Sequence, residues 1–503
     1  MSDASRLTQE GRDAAITTGL KHFSNFPDWL ASIKDHEHTL RVLSRDISEL
    51  ADGRMILKKC KIGHVYYREG VWHNRCTLKI RMPDESKEKN IELNGILYPP
   101  GSLDVDHSLS EGNFGTDGWH AVFTELNLEL KTLEPETELA ALGVLTDPEK
   151  ACEFLERSLR SASLAYHNIQ LQSCTPEIAR YKPGDRCTIL YQLEYAPDTP
   201  AEIHAPPFVV AKTTRQEKER NAFASLSALW NSPFGSNSSV RIAEPIAYDP
   251  KLKVFIQGPV WEEKTLAELI LTALDEGTPE ALAEASNVLR KTGQGLAELH
   301  QSGIAVGQVV SWADELKEVE ANLFPLCTVF SDLAPAAEPF LNRLKQLEAA
   351  TTPDPFVPSH GTFRPVQVLL HKGDLGFIDF DSFCQSEPAR DLSMFLTSMM
   401  SIGLAVPSSG KGKDPDPTIG DQPAWEARFK QVAFIREQFL NAYEQHQLVS
   451  RQRVSLWEAL NLFYFVVSGW TKAKTDEVPL LVRLLDRFLL ETHLFEVGTS
   501  SNI

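Results

Sequence analysis

The cysteine pattern offers neither a metal ribbon nor a redox pair. The seven cysteines, Cys60, Cys76, Cys152, Cys174, Cys187, Cys327 and Cys384, are odd in number and widely spaced, and no two form C-x-x-C. That usage suits a reducing compartment. No apolar run approaches the roughly 20 residues of a membrane-spanning helix. The first residues carry Asp3, Glu10 and Asp13 around no apolar core, which is not the pattern of a signal peptide. Basic charge is also scarce, with 50 Lys and Arg against 69 Asp and Glu and a net charge of −19. A field of that sign repels polyanions, so nucleic acid and anionic membranes are disfavoured partners. The expectation is a cytoplasmic protein whose small-molecule partner is neutral or cationic.

What is present is ample apolar material. With 503 residues, of which 42% are hydrophobic, the chain is too long for one ordinary core and long enough for about two or three. Residues 1 to 35 read as short helices. The stretch Met55 to Leu97 reads as strands broken by turns at Arg68-Glu69-Gly70 and Asn94-Gly95. A helix is expected from Pro148 to Ala165, capped by Asp147. No chemistry is legible in this first region.

An antiparallel pattern follows. After the turn Lys182-Pro183-Gly184-Asp185, Cys187, Ile189, Tyr191, Leu193 and Tyr195 fall at period two, so one face of that strand is buried. A second strand, Phe208 to Lys212, leads to a helix through Ala222, Leu226 and Leu229. Beyond Gly258 the pattern turns helical. Thr278 caps a helix with Pro279 at its first position, and further helices are expected over 424–446, 454–473 and from 478 onward. Ser408 to Pro423, rich in Gly, Pro, Asp and Ser, reads as a loop.

The most specific segment is His360-Gly361-Thr362-Phe363-Arg364-Pro365-Val366-Gln367, then a Lys372-Gly373-Asp374 turn, then Gly376-Phe377-Ile378-Asp379-Phe380-Asp381. It reads as a loop, a short strand, a turn and a second strand. Acidic residues at i and i+2 of a strand share a face, so Asp379 and Asp381 are expected to converge on one cation. Pro388-Ala389-Arg390-Asp391-Leu392 then opens a helix.

These residues resemble the H-G-D-x-x-x-x-N, I-D-[FW]-[DE] and D-P-x-x-D-L motifs of the aminoglycoside and choline kinase family of phosphotransferases. His360 and Gly361 agree with the family, Thr362 replaces its catalytic Asp, and Gln367 replaces its metal-binding Asn. The maltokinases of the same superfamily also have Gln there, and an N-terminal cap. The resemblance makes Asp379 and Gln367 the metal ligands and Asp391 the brace of the loop. Arg364 becomes the cation for the transferred phosphate, and Asp381 the nearest substitute for the missing base. Upstream it makes Lys212 the phosphate-contacting lysine, Gly184 part of the turn over the nucleotide, and Gln257 part of an interlobe hinge from Phe255 to Pro259. The usual Gly-rich phosphate loop is absent. The partner carboxylate of Lys212 stays open, with Glu217 and Glu219 both on the next helix.

The resemblance therefore implies an α+β, protein kinase-like bilobal fold. A small antiparallel β N-lobe (151–258) and a mainly helical C-lobe (259–503) would follow an N-terminal α/β cap region (1–150). It implies use of ATP or another purine nucleotide with Mg, and an acceptor that is a small hydroxyl-bearing molecule, cationic or a sugar. Glu262, Glu263, Asp414 and Asp416 are candidates to attract a cationic acceptor. Thr362 leaves two readings open, a small-molecule kinase and a nucleotide-binding pseudokinase. Threonine accepts no proton near neutral pH, and a positioned base contributes roughly 10²–10⁴-fold in rate.

Overall fold

A computed structural model describes residues 14–494 apart from 85, 104–112, 134–137, 198, 200–203, 216–217, 405–421 and 493. The loop expected over Ser408 to Pro423, including Asp414 and Asp416, falls almost wholly outside the described residues, as does Glu217.

The described residues begin with a helix over 14–22, and after a helical turn at Asp28–Ala31 comes α1 (His36–Asp46), capped by Asp35, which accepts from the amide of His38. A five-stranded antiparallel sheet follows: β1 (Ile56–Arg68), β2 (Val71–Arg81), β3 (Glu88–Leu97), β4 (His120–Phe123) and β5 (Leu128–Thr132), in the order β1-β2-β3-β5-β4. The expected turn at Asn94-Gly95 is not formed. Both residues lie inside β3, where Gly95 leaves room for the Asn74 side chain: a β-carbon there would sit 2.2 Å from Asn74 Oδ1. The glycine marks a close approach within the sheet.

Helix α2 (Pro148–Ala162) starts where expected, with Asp147 accepting from the amides of Glu149 and Lys150, and ends at Ala162. It packs on the second antiparallel sheet: β6 (Leu171–Lys182), β7 (Arg186–Tyr195), β8 (Phe208–Thr214), β9 (Pro245–Asp249) and β10 (Val254–Gln257), in the order β9-β10-β8-β7-β6. The period-two reading of β7 holds, with Cys187, Ile189, Tyr191 and Leu193 all buried. Their core also takes in Leu139, Ala141 and Leu145. In β8 the same alternation sends Val209 and Ala211 into that core and puts Lys212 on the other face.

The rest is mainly helical, carried by α3 (Lys218–Trp230), α4 (Leu266–Glu276), α5 (Pro279–His300), α6 (Trp312–Leu326), α7 (Leu333–Ala349), α8 (Pro388–Leu404), α9 (Gln422–Glu444), α10 (Arg451–Thr471) and α11 (Val478–Glu491). Between α7 and α8 lies a short hairpin, β11 (Val368–His371) and β12 (Asp374–Phe377), turned by Lys372 and Gly373, both at positive φ.

The helical core extends past its own segment. Leu20, Phe23, Leu30 and Trp72 from the first hundred residues belong to it. Trp72 Nε1 donates to Trp470 O at 3.0 Å, and Trp470 Nε1 donates to Phe23 O at 2.9 Å. Among the described residues no helix is long and apolar enough to cross a membrane.

Candidate active site

The loop from His360 to Arg364 is held from behind. Asp391, fully buried in the first turn of α8, accepts from the amide of His360 at 2.6 Å and of Gly361 at 2.8 Å, and lies 3.1 Å from His300 Nε2. Tyr443 Oη lies 2.7 Å from His300 Nδ1. The set is satisfied when the imidazole donates to the carboxylate and accepts from the phenol. Burial opposes ionisation of Asp391, but the hydrogen bond from His300 outweighs it and holds the carboxyl below its usual range. Gly361 adopts φ +90°, and a β-carbon there would lie 2.0 Å from Ser382 O, so only glycine fits.

His360 is structural too. It is completely buried, and burial pushes its pKa down. Nε2 donates to Ile378 O at 2.9 Å, while Nδ1 has no partner among the described residues. That suits a neutral imidazole bracing a loop.

The acidic pair departs from the expected strand. Strand β12 stops at Phe377, Asp379 takes a left-handed conformation (φ 73°, ψ 49°), and residues 380–382 form a 3₁₀ turn. The i, i+2 argument therefore fails, yet the two carboxylates still converge: Lys212 Nζ donates to Asp379 Oδ1 and to Asp381 Oδ1, both at 3.0 Å. Backbone curvature does what strand alternation was expected to do. A left-handed aspartate is costly, and such strain gathers at functional sites.

Gln367 joins them because Ile378 N donates to Gln367 O at 3.1 Å, fixing the residue across the hairpin. Its Nε2 donates to Asp379 Oδ2 at 3.1 Å, while Oε1, buried, has no partner among the described residues. A carboxylate beside an orphaned amide oxygen is the hard-oxygen donor set that a divalent cation of the Mg class takes, so the residues fit the ion the sequence implied.

The electrostatics separate the two acids. For Asp379 burial favours the neutral form, but the charge of Lys212 and hydrogen bonds from Lys212 and Gln367 prevail and hold it well below the carboxylate range. For Asp381 burial and the neighbouring Asp379 charge outweigh Lys212, and its pKa is raised. Two carboxyls pushed apart in this way give one fixed anion and one group readier to carry a proton. Lys212 is desolvated, yet the two carboxylates raise its pKa and keep it charged.

Glu219 does not touch Lys212 directly. It is 2% exposed, accepts from Thr214 Oγ1 at 2.7 Å through Oε2, and leaves Oε1 without a partner among the described residues. The open question of the lysine's partner is thus answered by Asp379 and Asp381 themselves, a pairing between residues 167 and 169 positions apart that no local pattern signals.

Arg364 lies over the ring of Phe465, 5.7 Å from its centroid, and burial lowers its pKa. Its Nε has no partner among the described residues. Thr362 is half-buried in the loop between Gly361 and Phe363. Gln257 is buried at the end of β10, opposite Val210 of β8, and Gly258 N donates to Glu244 O at 2.8 Å in the expected hinge. Gly184, at φ +68°, sits in the β6–β7 turn near Glu138. Glu263 accepts from the amide of Lys372, so it serves the hairpin.

Residues 213–449 match the phosphotransferase enzyme family. That span contains the whole loop, the hairpin and the Asp391 brace, so the resemblance read from the motifs stands. No curated protein matches. Among solved structures, a choline/ethanolamine kinase family protein from Mesorhizobium loti is similar at 13% identity and TM-score 0.41, over 68% of this chain and 96% of its own. A glucosamine kinase in complex with glucosamine, ADP and inorganic phosphate is similar at 14% and 0.41, over 90% and 98%. A choline kinase from Streptococcus pneumoniae is similar at 14% and 0.40, over 67% and 98%.

Proposed function

We propose that this protein is a nucleotide- and magnesium-dependent phosphotransferase acting on a hydroxyl of a small molecule. One observation carries the reading: Lys212 of β8 and the sequence-distant Gln367, Asp379 and Asp381 around the β11–β12 hairpin meet within hydrogen-bonding distance, with one buried donor oxygen left over. In phosphoryl transfer a protein supplies mainly position and charge. Asp379 and the free oxygen of Gln367 would hold the cation, which when bound neutralises phosphate charge. Lys212 would steady the phosphates and Arg364 meet the charge that develops on the transferred group. Asp381, its pKa raised, would take the acceptor's proton in place of the absent aspartate. Soluble phosphotransfer is proposed to occur in the cytoplasm, on a cationic or sugar acceptor.

A second reading has its own observation. Thr362 stands where the family places its base, and a hydroxyl cannot do that work near neutral pH, which favours a nucleotide-binding pseudokinase. Both readings require nucleotide with magnesium to stabilise the fold, by about 2.7 kcal/mol at 100 times Kd. No change in Tm with millimolar ATP or GTP would remove both. Thr362→Asp separates them. For a pseudokinase, basal nucleotide hydrolysis rises by up to roughly 10²–10⁴-fold. For an enzyme relying on Asp381, a third carboxylate crowds the site and activity falls.

A further inference from the structure

In the linear sequence the cysteines form no motif, but folding brings two of them together. Cys60 of β1 and Cys76 of β2 are 16 positions apart, and their sulfurs lie 3.6 Å from each other. The register explains the meeting. Cys60 stands opposite Leu78 and Cys76 opposite Ile62, so the two are diagonal neighbours on adjacent antiparallel strands. Diagonal residues at this offset project from one face of a sheet. Here that face is the core of the first sheet, where both thiols are buried in the same cluster as Leu78 and Leu93.

Burial decides how a reagent reaches them. β1 is an edge strand, paired with β2 on one side only. Its register slips between Leu57 and Lys59 and again between Gly63 and Tyr66, on either side of Cys60. Bulges break the ladder locally, and edges held by few hydrogen bonds open at low free energy. Lifting of residues 59–63 exposes the Cys60 sulfur, while Cys76 stays on a strand paired with β3. The partner that opens first is also the readier thiolate. Donation from the Cys76 thiol lowers the pKa of Cys60, and the same hydrogen bond, with burial, raises that of Cys76.

We propose that Cys60 and Cys76 form a reversible disulfide when the protein meets hydrogen peroxide, and that this bond stiffens the hairpin tying the first sheet to the helical core. The Cys60 thiolate attacks a peroxide oxygen and becomes a sulfenic acid as the O–O bond breaks. The hydroxide released takes up the proton that the thiol gave up, as the first water. The Cys76 sulfur then displaces the hydroxyl from Cys60, and the S–O bond breaks as the S–S bond forms. The Cys76 proton leaves with that hydroxyl as the second water. Two thiols lose two electrons and one peroxide gains them. The sulfurs must close to about 2.05 Å, a shift of about 1.5 Å that the flanking bulges let β1 make.

The loop so closed contains the hairpin's anchors. Tyr67 Oη donates to Pro325 O at 2.6 Å, Trp72 Nε1 donates to Trp470 O at 3.0 Å, and the two rings meet at 4.7 Å. A cross-link removes freedom from the chain it encloses. This inference stands apart from the phosphotransferase reading, and its test uses neither nucleotide nor magnesium.

The full chain is treated with hydrogen peroxide, its free thiols are trapped with iodoacetamide under denaturing conditions, and the peptides are mapped by mass spectrometry with and without dithiothreitol. Wild type should lose two of its seven free thiols and yield a Cys60–Cys76 cross-linked peptide that dithiothreitol removes. Cys76→Ser should yield none. Amide hydrogen exchange over residues 61–75 should slow by about tenfold or more in oxidised wild type, return on reduction, and stay unchanged in peroxide-treated Cys76→Ser. If Cys76→Ser does not fold, the map and the exchange of wild type before and after oxidation decide alone. The disulfide is overturned if all seven thiols remain open to alkylation, if Cys60 stops at a sulfinic acid, or if only other cysteines are joined, such as Cys152 with Cys174. A Cys60–Cys76 cross-link with unchanged exchange overturns the stiffening of the hairpin.

Discussion

Two faces of the same loop are built to opposite rules. Behind residues 360–364, Asp391 satisfies two backbone amides and His300, and His300 in turn meets Tyr443. The start of the same helix is pinned by Glu387, which pairs with Arg453, both buried. In front, Gln367 Oε1, Arg364 Nε and Glu219 Oε1 are buried or nearly so without partners among the described residues, and two carboxylates share one lysine. A buried network in which, His360 Nδ1 apart, each of these groups finds a partner makes a rigid support, whereas one left short of partners is held for something that arrives later. The contrast separates what folds the loop from what the loop does.

The sharpest way to break that contrast is Asp391→Ala. It strands two amides and an imidazole in the interior, and removing one partner of a buried charged network costs about 3–5 kcal/mol. Urea unfolding should register that loss, together with lost nucleotide binding, since the loop would no longer be held. A change below about 1 kcal/mol would mean the brace is dispensable.

Asp379→Asn should do the reverse. Lys212 keeps Asp381, so the unfolding midpoint should move little, while the Kd for magnesium–nucleotide should rise by more than about 100-fold, some 2.7 kcal/mol. If this variant unfolds like Asp391→Ala, the front of the site is as structural as the back. Lys212→Ala should raise the same Kd by about tenfold, near 1.4 kcal/mol, because it removes a phosphate contact and leaves the metal ligands.

Much of this division was legible from residue order alone. His360, Gly361, Gln367, Asp379 and Asp391 were singled out because they fall on a family's motif over a short local stretch, and the β7 and α5 patterns were legible because burial follows a short period. Three features were not. The left-handed turn at Asp379 hid behind a run, Gly376 to Phe380, that reads as uninterrupted strand. The pairing of Lys212 depends on how β8 faces the 380–382 turn, which is set by the packing of α3 on that turn. The union of the N-terminal helices with the helical core rests on Trp72 and Trp470, single aromatics whose partners are 398 positions apart. Aromatic anchors of that kind carry no periodic signal.

The finest distinction between the two faces concerns Glu219, and it is visible in pH. Burial raises its pKa, with the Thr214 hydrogen bond opposing. An acid whose folded pKa is raised holds its proton more firmly in the native state than in the unfolded chain, where the value is about 4.3. The stability it lends is therefore complete below that unfolded value and is lost as pH rises through the folded one. Glu219→Gln keeps the shape and removes the titration. The stability of wild type minus that of the variant should decline as pH is raised from about 4 toward neutrality, by less than any effect above, in paired urea titrations at successive pH values. A rise would mean that the carboxylate is stabilised by Lys212 and belongs to the satisfied face. A flat difference would mean that water reaches Oε1 and that the orphaned oxygen is not held in reserve for a bound ligand.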